Sequence, residues 1–230
     1  RDRPDLERLL RSIERFSSAD KVEVVVALDP CGQLREGIDL GQAKLIRSPR
    51  PGANEARNAG AAAAKGEILW FLDDDTEIQS ADFLTTLPEL YLDSNRAAVG
   101  GGYISPPDST SAYNTFCSLW RVSAGTERCE LLLGGTLSVR KAVWESVGGF
   151  DGRIRYGGSE TSFVRKIHQL RPKVSVDYHP SLDVWHRPGS RGFGWARVAW
   201  LQGIRKHETE LELPPFRDRV RRGWSFLKSE

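Results

Sequence analysis

Ile68-Leu69-Trp70-Phe71-Leu72-Asp73-Asp74-Asp75 sets five apolar residues directly before three carboxylates. An apolar run of this length is too short for a helix and reads as a strand covered on both faces, as in parallel sheets. The flanking sequence repeats the theme. Val22 to Leu28 is a second Val-rich run, broken only by Glu23 and also predicted to be buried on both faces. Lys44-Leu45-Ile46 and Val99 to Ile104 read as further strands. Helices are predicted between them. Asn54 to Ala64 is Ala-rich and stops at Gly66, and Ser80 to Asn95 is interrupted at Pro88. Pro4 to Phe16 places Leu6, Leu9, Leu10, Ile13 and Phe16 on one face. This alternation predicts an α/β fold with a mostly parallel central sheet and helices on both faces. In such sheets ligands collect at the carboxyl ends of the strands. Asp29 closes one strand and Asp73 to Asp75 another, so both acidic sites are predicted to face one crevice.

Downstream the pattern loosens. Pro106-Pro107 and the Ser/Thr-rich stretch to Thr115 read as a surface loop. Leu137-Ser138-Val139 reads as an edge strand, followed by a short helix from Lys141 to Val147 that stops at Gly148-Gly149. A helix is expected from Ser159 to Gln169 and a strand from Val174 to Tyr178. Gly194–His207 and Phe216–Lys228 read as two amphipathic helices parted by Pro214-Pro215. In the last of these, Phe216, Val220, Trp224 and Leu227 share a face, with Arg217, Arg219, Arg221, Arg222 and Lys228 around them. Such a helix either rests on an anionic membrane surface or packs back on the domain with its basic face in water.

Composition narrows the classes. Hydrophobic residues at 39% and charged residues at 28% of 230 suit a globular chain with a core, not a disordered one. A net charge of +2 weighs against a dedicated nucleic-acid binder. Cys31, Cys117 and Cys129 are too few and too scattered for a disulfide framework or zinc knuckle, which suggests thiols in a reducing compartment. No apolar run approaches the roughly 20 residues that span a bilayer, and no signal-peptide pattern opens the chain. The expected location is cytoplasmic, with peripheral membrane contact through the basic C-terminal helix as the one addition. The chain opens at Arg1 without Met and is expected to begin inside a longer polypeptide.

Three adjacent carboxylates repel one another unless a cation sits among them. Mg²⁺ characteristically takes one or two carboxylates plus substrate phosphates, and Mn²⁺ suits the same donors. The alternative for Asp73-Asp74-Asp75 is a helix-capping cluster.

The neighbouring motifs carry a resemblance. Ala53-Asn54-Glu55-Ala56-Arg57-Asn58-Ala59-Gly60, Gly66-Glu67 and Phe71-Leu72-Asp73-Asp74-Asp75 form one block that resembles the donor-binding half of family 2 glycosyltransferases of GT-A fold. Gly134-Gly135-Thr136-Leu137-Ser138-Val139 and Val147-Gly148-Gly149-Phe150-Asp151 resemble that family's acceptor side. The resemblance implies a metal-dependent, inverting transfer of a sugar from a nucleotide-diphospho-sugar, a UDP-sugar being the expected donor, to a hydroxyl of a glycan or lipid-linked acceptor. It implies that Asp73 and Asp75 are the DXD pair that holds Mn²⁺ or Mg²⁺, and that Asp73 and Asp74 help bind the nucleotide-sugar. Arg57 would contact the nucleotide, and Asp29 would read the base, although the family's usual Asp-Asp-Gly-Ser is here Leu28-Asp29-Pro30-Cys31. Tyr156-Gly157-Gly158-Ser159-Glu160-Thr161 stands where the family carries Gly-Gly-Glu-Asp-Thr. Glu160 would be the general base, with Ser159 in place of the preceding acid. His186, in Val184-Trp185-His186-Arg187, stands where several GT-A enzymes place a further metal ligand.

The implied organisation is a GT-A catalytic domain over 1–190, with a nucleotide-binding half at 1–105 and an acceptor-side half at 106–190. The family's first strand would precede Arg1, and a helical extension would fill 191–230. The Q-x-x-R-W motif of sugar-polymerising members is not visible, which favours addition of a single sugar.

Other classes fit less well. A haloacid-dehalogenase-type phosphatase would need Thr or Val where Glu77 stands. The G-x-G-x-x-G and G-K-[ST] signatures of dehydrogenases and P-loop enzymes are missing. A sugar-phosphate nucleotidyltransferase and a non-catalytic nucleotide-sugar-binding module on the same scaffold stay open as alternatives.

Overall fold

A computed structural model of the chain describes residues 4–17, 22–108, 132–154, 158–171 and 173–187. Its elements run α1 (Pro4–Phe16), β1 (Val25–Leu28), β2 (Lys44–Arg47), α2 (Ala53–Ala63), β3 (Ile68–Leu72), β4 (Thr76–Glu77), α3 (Phe83–Leu90), β5 (Arg96–Gly100) and β6 (Tyr103–Ile104). Then come β7 (Thr136–Arg140), α4 (Lys141–Ser146), α5 (Ser159–Leu170), β8 (Ser175–Tyr178), a 3₁₀ turn (Pro180–Leu182) and β9 (Val184–His186). Cys117, Cys129 and the two expected C-terminal helices lie outside the described residues. No described helix is long and apolar enough to cross a membrane.

The centre is a four-stranded sheet in the order β3-β7-β5-β8. β3, β5 and β8 run in one direction and β7 runs against them. The apolar run of β3 is explained by what covers each face, since successive side chains point to opposite sides. Leu69 and Phe71 pack with Phe150, Phe163, Val164 and Ile167, under α4, α5 and the Ala61 side of α2. Ile68, Trp70 and Leu72 pack with Leu9, Ile13, Phe83 and Leu87 of α1 and α3. Helices therefore cover both faces.

Three expectations are corrected. Leu137-Ser138-Val139 is not an edge: β7 lies between β3 and β5, and all three residues are fully buried. A polar Ser in a short run suggests an exposed edge, but Ser138 Oγ donates to the Val99 carbonyl at 2.9 Å and pairs with the Tyr91 hydroxyl at 3.0 Å. Those distant partners remove the cost of burying it. β1, in turn, is less buried than its Val content suggests. It pairs in parallel with β2 alone among the described ladders, and only Val26 in it is buried. Third, Val99 to Ile104 is two strands in different sheets. The chain steps across at Gly101-Gly102, where a Cβ on Gly101 would strike the Leu182 carbonyl, and the Gly102 N–H donates to Asp183 Oδ1 at 2.6 Å. Val184–His186, which follow the expected strand β8, form a strand of their own, β9.

That second sheet, β4-β9-β6, positions the site. β4 is antiparallel to β9 with Thr76 opposite His186, and β6 is parallel to β9 with Tyr103 opposite Val184. Thr76 follows Asp75 directly, so this register carries the acidic end of β3 to His186. The Arg187 N–H closes the arrangement on the Asp75 carbonyl at 2.8 Å.

Candidate active site

Arg57 lies at the centre of the cluster. It projects from α2, donates from Nη2 to Asp73 Oδ1 at 2.7 Å, and reaches Glu160 Oε1 from Nη1 at 3.4 Å. Its guanidinium also lies over the Phe150 ring at 5.9 Å. Burial, the largest single influence on this group, works to lower its pKa, yet the charges of Asp73 and Glu160 outweigh it and hold the pKa above the ordinary arginine value. Arg57 is a permanent cation joining a strand-tip acid to the acid in the first turn of α5. The two lie 87 residues apart in sequence, from 73 to 160.

Glycine lets the backbone come close to this cluster. A Cβ on Gly134 would meet Glu160 Oε1 and Arg57 Nη2, and one on Gly135 would meet the Tyr103 hydroxyl and the Asp73 carboxylate. Gly158 holds φ +76° just before α5, a conformation that side-chain-bearing residues rarely adopt, and so sets Glu160 at the helix entry. Ser159 is buried, and it is Glu160 that faces Arg57.

A second pair stands beside the first. His186 Nε2 is 3.5 Å from Asp75 Oδ1. Tyr103 lies flat on the His186 ring, with centroids 4.2 Å apart and planes within 10°. Its hydroxyl donates to Asp73 Oδ2 at 3.4 Å. Burial first, and then the charges of Asp73 and Asp75, push its pKa well up, so it stays a neutral donor. Tyr103 thereby ties the Asp73 and Asp75 pairs together. Asp74 is half-buried between them at the strand tip.

Asp29 serves the edge of this region. Its Oδ2 accepts the Gly52 N–H at 2.8 Å and its Oδ1 the Cys31 N–H at 3.1 Å, which fixes the end of β1 to the start of α2. Arg57 thus meets two carboxylates, while Asp75 meets the imidazole of His186. The mixed oxygen and imidazole donors of Asp75 and His186 suit a divalent cation such as Mn²⁺. Among the described residues, no three potential ligands converge on one point. Asp73 is turned to Arg57, which leaves Asp75 and His186 as residues that could hold such an ion.

The Glycosyl transferase family 2 model matches residues 2–128, more than half of the chain. The chain belongs to this family. Solved structures agree on the fold. The mannosyltransferase PcManGT from Pyrobaculum calidifontis, in complex with GDP-Man and Mn²⁺, superposes with a TM-score of 0.66 at 19% identity, over 98% of this chain and 66% of that one. GalNAc-T7 with UDP, GalNAc and Mn²⁺ gives 0.62 at 16%, over 96% of this chain and 52% of that one. TarS of S. aureus gives 0.57 at 14%, over 97% and 40%. This family 2 chain thus has the GT-A fold and spans from two fifths to two thirds of the length of these neighbours. No curated protein matches it.

The structure of this family 2 glycosyltransferase chain brings Arg57, Asp73 and Glu160 into one bonded group and Asp75 and His186 into another, while Asp29 stands apart in contact with backbone. Sequence reading missed Tyr103, because Gly-Gly-Gly-Tyr looked like the continuation of one strand. It also missed what the two asparagines of α2 do. Asn58 accepts the Phe150 N–H at 2.9 Å and donates to the Phe150 carbonyl at 2.8 Å. Asn54 donates to the carbonyls of Asp151 and Ile154. They fasten the Gly-Gly-Phe-Asp segment to the helix that carries Arg57. Asn58→Ala would leave both Phe150 backbone groups without partners, and a loss of about 2 kcal/mol in urea-unfolding stability is expected. An unchanged midpoint would show that water replaces the amide without cost.

Proposed function

We propose that this chain transfers a sugar from a nucleotide-diphospho-sugar to an acceptor hydroxyl with inversion at the sugar carbon. The observation that carries the reading is Arg57 bonding both Asp73 and Glu160, which puts a carboxylate able to accept a proton beside the acidic strand tip. Mn²⁺ or Mg²⁺ would be held by Asp75 and His186, with Asp73 as the adjoining carboxylate. When bound, it would offset the charge that grows on the departing diphosphate.

The residues divide the remaining work. Glu160 takes the proton of the acceptor hydroxyl as that oxygen attacks. Arg57 aims Glu160 and holds Asp73 toward the nucleotide. Asp74 stands beside it on the donor side. Asp29, with oxygen lone pairs left over from its two backbone contacts, would meet the base. The bare backbone of Gly134-Gly135 lets this loop close on Glu160, Arg57 and Asp73 and so keeps the cluster compact. The complexes of neighbours with GDP-Man or UDP and Mn²⁺ support a nucleotide-sugar donor. A UDP-sugar is the first choice here, with a glycan or lipid-linked acceptor.

Thermal unfolding with UDP, GDP or dTDP, each with and without Mn²⁺, tests the proposal. One nucleotide is expected to raise the melting temperature only when Mn²⁺ is present, by an amount equivalent to about 3 kcal/mol at a hundredfold excess over Kd. No stabilisation by any of the three, or equal stabilisation without the ion, would count against it.

A further inference from the structure

A cleft of about 420 Å³ lies between α1 and the β4–β9 strand pair, outside the carboxylate cluster. Trp185 lines it while His186, next in β9, faces Asp75. Adjacent strand residues point to opposite sides, so the cleft backs onto the catalytic face and does not open into it.

Its chemistry is one-sided. Arg8, Arg11 and Arg15 of α1 recur at i, i+3 and i+7 and all border the cleft. Like charges at these spacings repel along a helix, and an anion beside the stripe would offset that repulsion. Glu7 and Glu14 of α1 do not supply it. Glu7 is paired with Arg35 at 2.7 Å, and Glu14 lies against Gly41, both on the β1–β2 side of the helix. Arg11 and Arg15 form no ion pair among the described residues, Arg15 resting on the Phe16 ring. Glu77, the one acid in the lining, stands 3.7 Å from Arg187.

A second observation points to a ligand. Gln79 lines the same cleft, and its Nε2 is buried with no hydrogen-bond partner. A buried amide donor without an acceptor is costly, and an anionic oxygen in the cleft would satisfy it. Ser12 is engaged elsewhere, its hydroxyl donating to the Leu9 carbonyl and accepting the Ile78 N–H.

We infer that this cleft binds the phosphate group of an anionic ligand, free or carried on a lipid headgroup. Arg11 and Arg15 supply the charge, Gln79 the buried donor, and Trp185 the apolar wall. The site is separate from the one that takes the donor diphosphate.

Two arms test it on the full chain. Calorimetry with glycerol 3-phosphate reads a free phosphate, and co-sedimentation with phosphatidylcholine vesicles, with and without phosphatidylglycerol, reads a headgroup. Each is run on the wild type, on Arg11→Gln with Arg15→Gln, and on Gln79→Leu. Binding in at least one arm is expected, weakened about tenfold or more by the double change and about tenfold by Gln79→Leu. The leucine removes an orphaned donor without leaving another, so the melting temperature should not fall. No binding in either arm overturns the site. So does binding that the double change leaves intact. Binding that ignores Gln79→Leu also overturns it, as diffuse attraction to a basic helix.

Discussion

Glu160→Gln is expected to lower kcat by about 10²–10⁴-fold while leaving the KM for the donor nearly unchanged. Glutamine keeps the length and shape of the side chain and still offers an oxygen to Arg57, 3.4 Å away. It cannot take a proton. The loss therefore isolates base chemistry from the positioning that the Arg57 contact provides. Folding should be little affected, because the partner on Arg57 that bonds most closely is Asp73, at 2.7 Å, and it stays in place. Steady-state transfer measured with donor and acceptor varied separately decides the point. Full turnover in the variant would remove Glu160 from the base role and leave it as a helix-entry acid.

Asp75→Ala is expected to abolish divalent-ion-dependent transfer, a drop of about 10³-fold or more, since neutralising the leaving diphosphate is worth several kcal/mol. Asp75 is the sharper choice within the acidic triplet. Its contact with His186 is long, at 3.5 Å, and partly exposed, so its removal should cost the fold under about 1 kcal/mol. Asp73→Ala would confound the test. It would leave the buried Arg57 with Glu160 as its one charged partner of the pair and the Tyr103 hydroxyl without its acceptor, and destabilise the protein along with the reaction. Activity against added Mn²⁺, with melting followed in parallel, separates the two. Turnover that persists at the wild-type level in Asp75→Ala would withdraw the DXD reading.

Much of the donor half was legible because it is local. The apolar run of β3, the Ala-rich α2 and the abrupt acidic end are each set by residues next to one another, and the structure keeps them within a residue or two. Local pattern reports which faces of an element are covered, but not by what. Ser138 looked like an edge residue because its partners, Tyr91 and Val99, are 47 and 39 residues away. β4 is only two residues long and owes its existence to pairing with β9, more than a hundred residues on. No periodicity announces such a strand. The same ladder is what brings His186 to Asp75, so the histidine was readable only through likeness to a family. Tyr103 was hidden because the close approach at Gly101, set by Leu182, moves the chain from one sheet to another. The apolar face of α1 was read but its arginine stripe was not, and the cleft beneath that stripe depends on where β4 and β9 lie.

Anomalous scattering from crystals of the chain grown with Mn²⁺ and the nucleoside diphosphate that stabilises it would locate the ion directly. An ion bonded to the Asp75 carboxylate and His186 Nε2, with the diphosphate completing its shell beside Asp73, is the expected result. An ion held elsewhere, with Asp75 and His186 still paired to each other and the nucleotide away from Arg57, would contradict it.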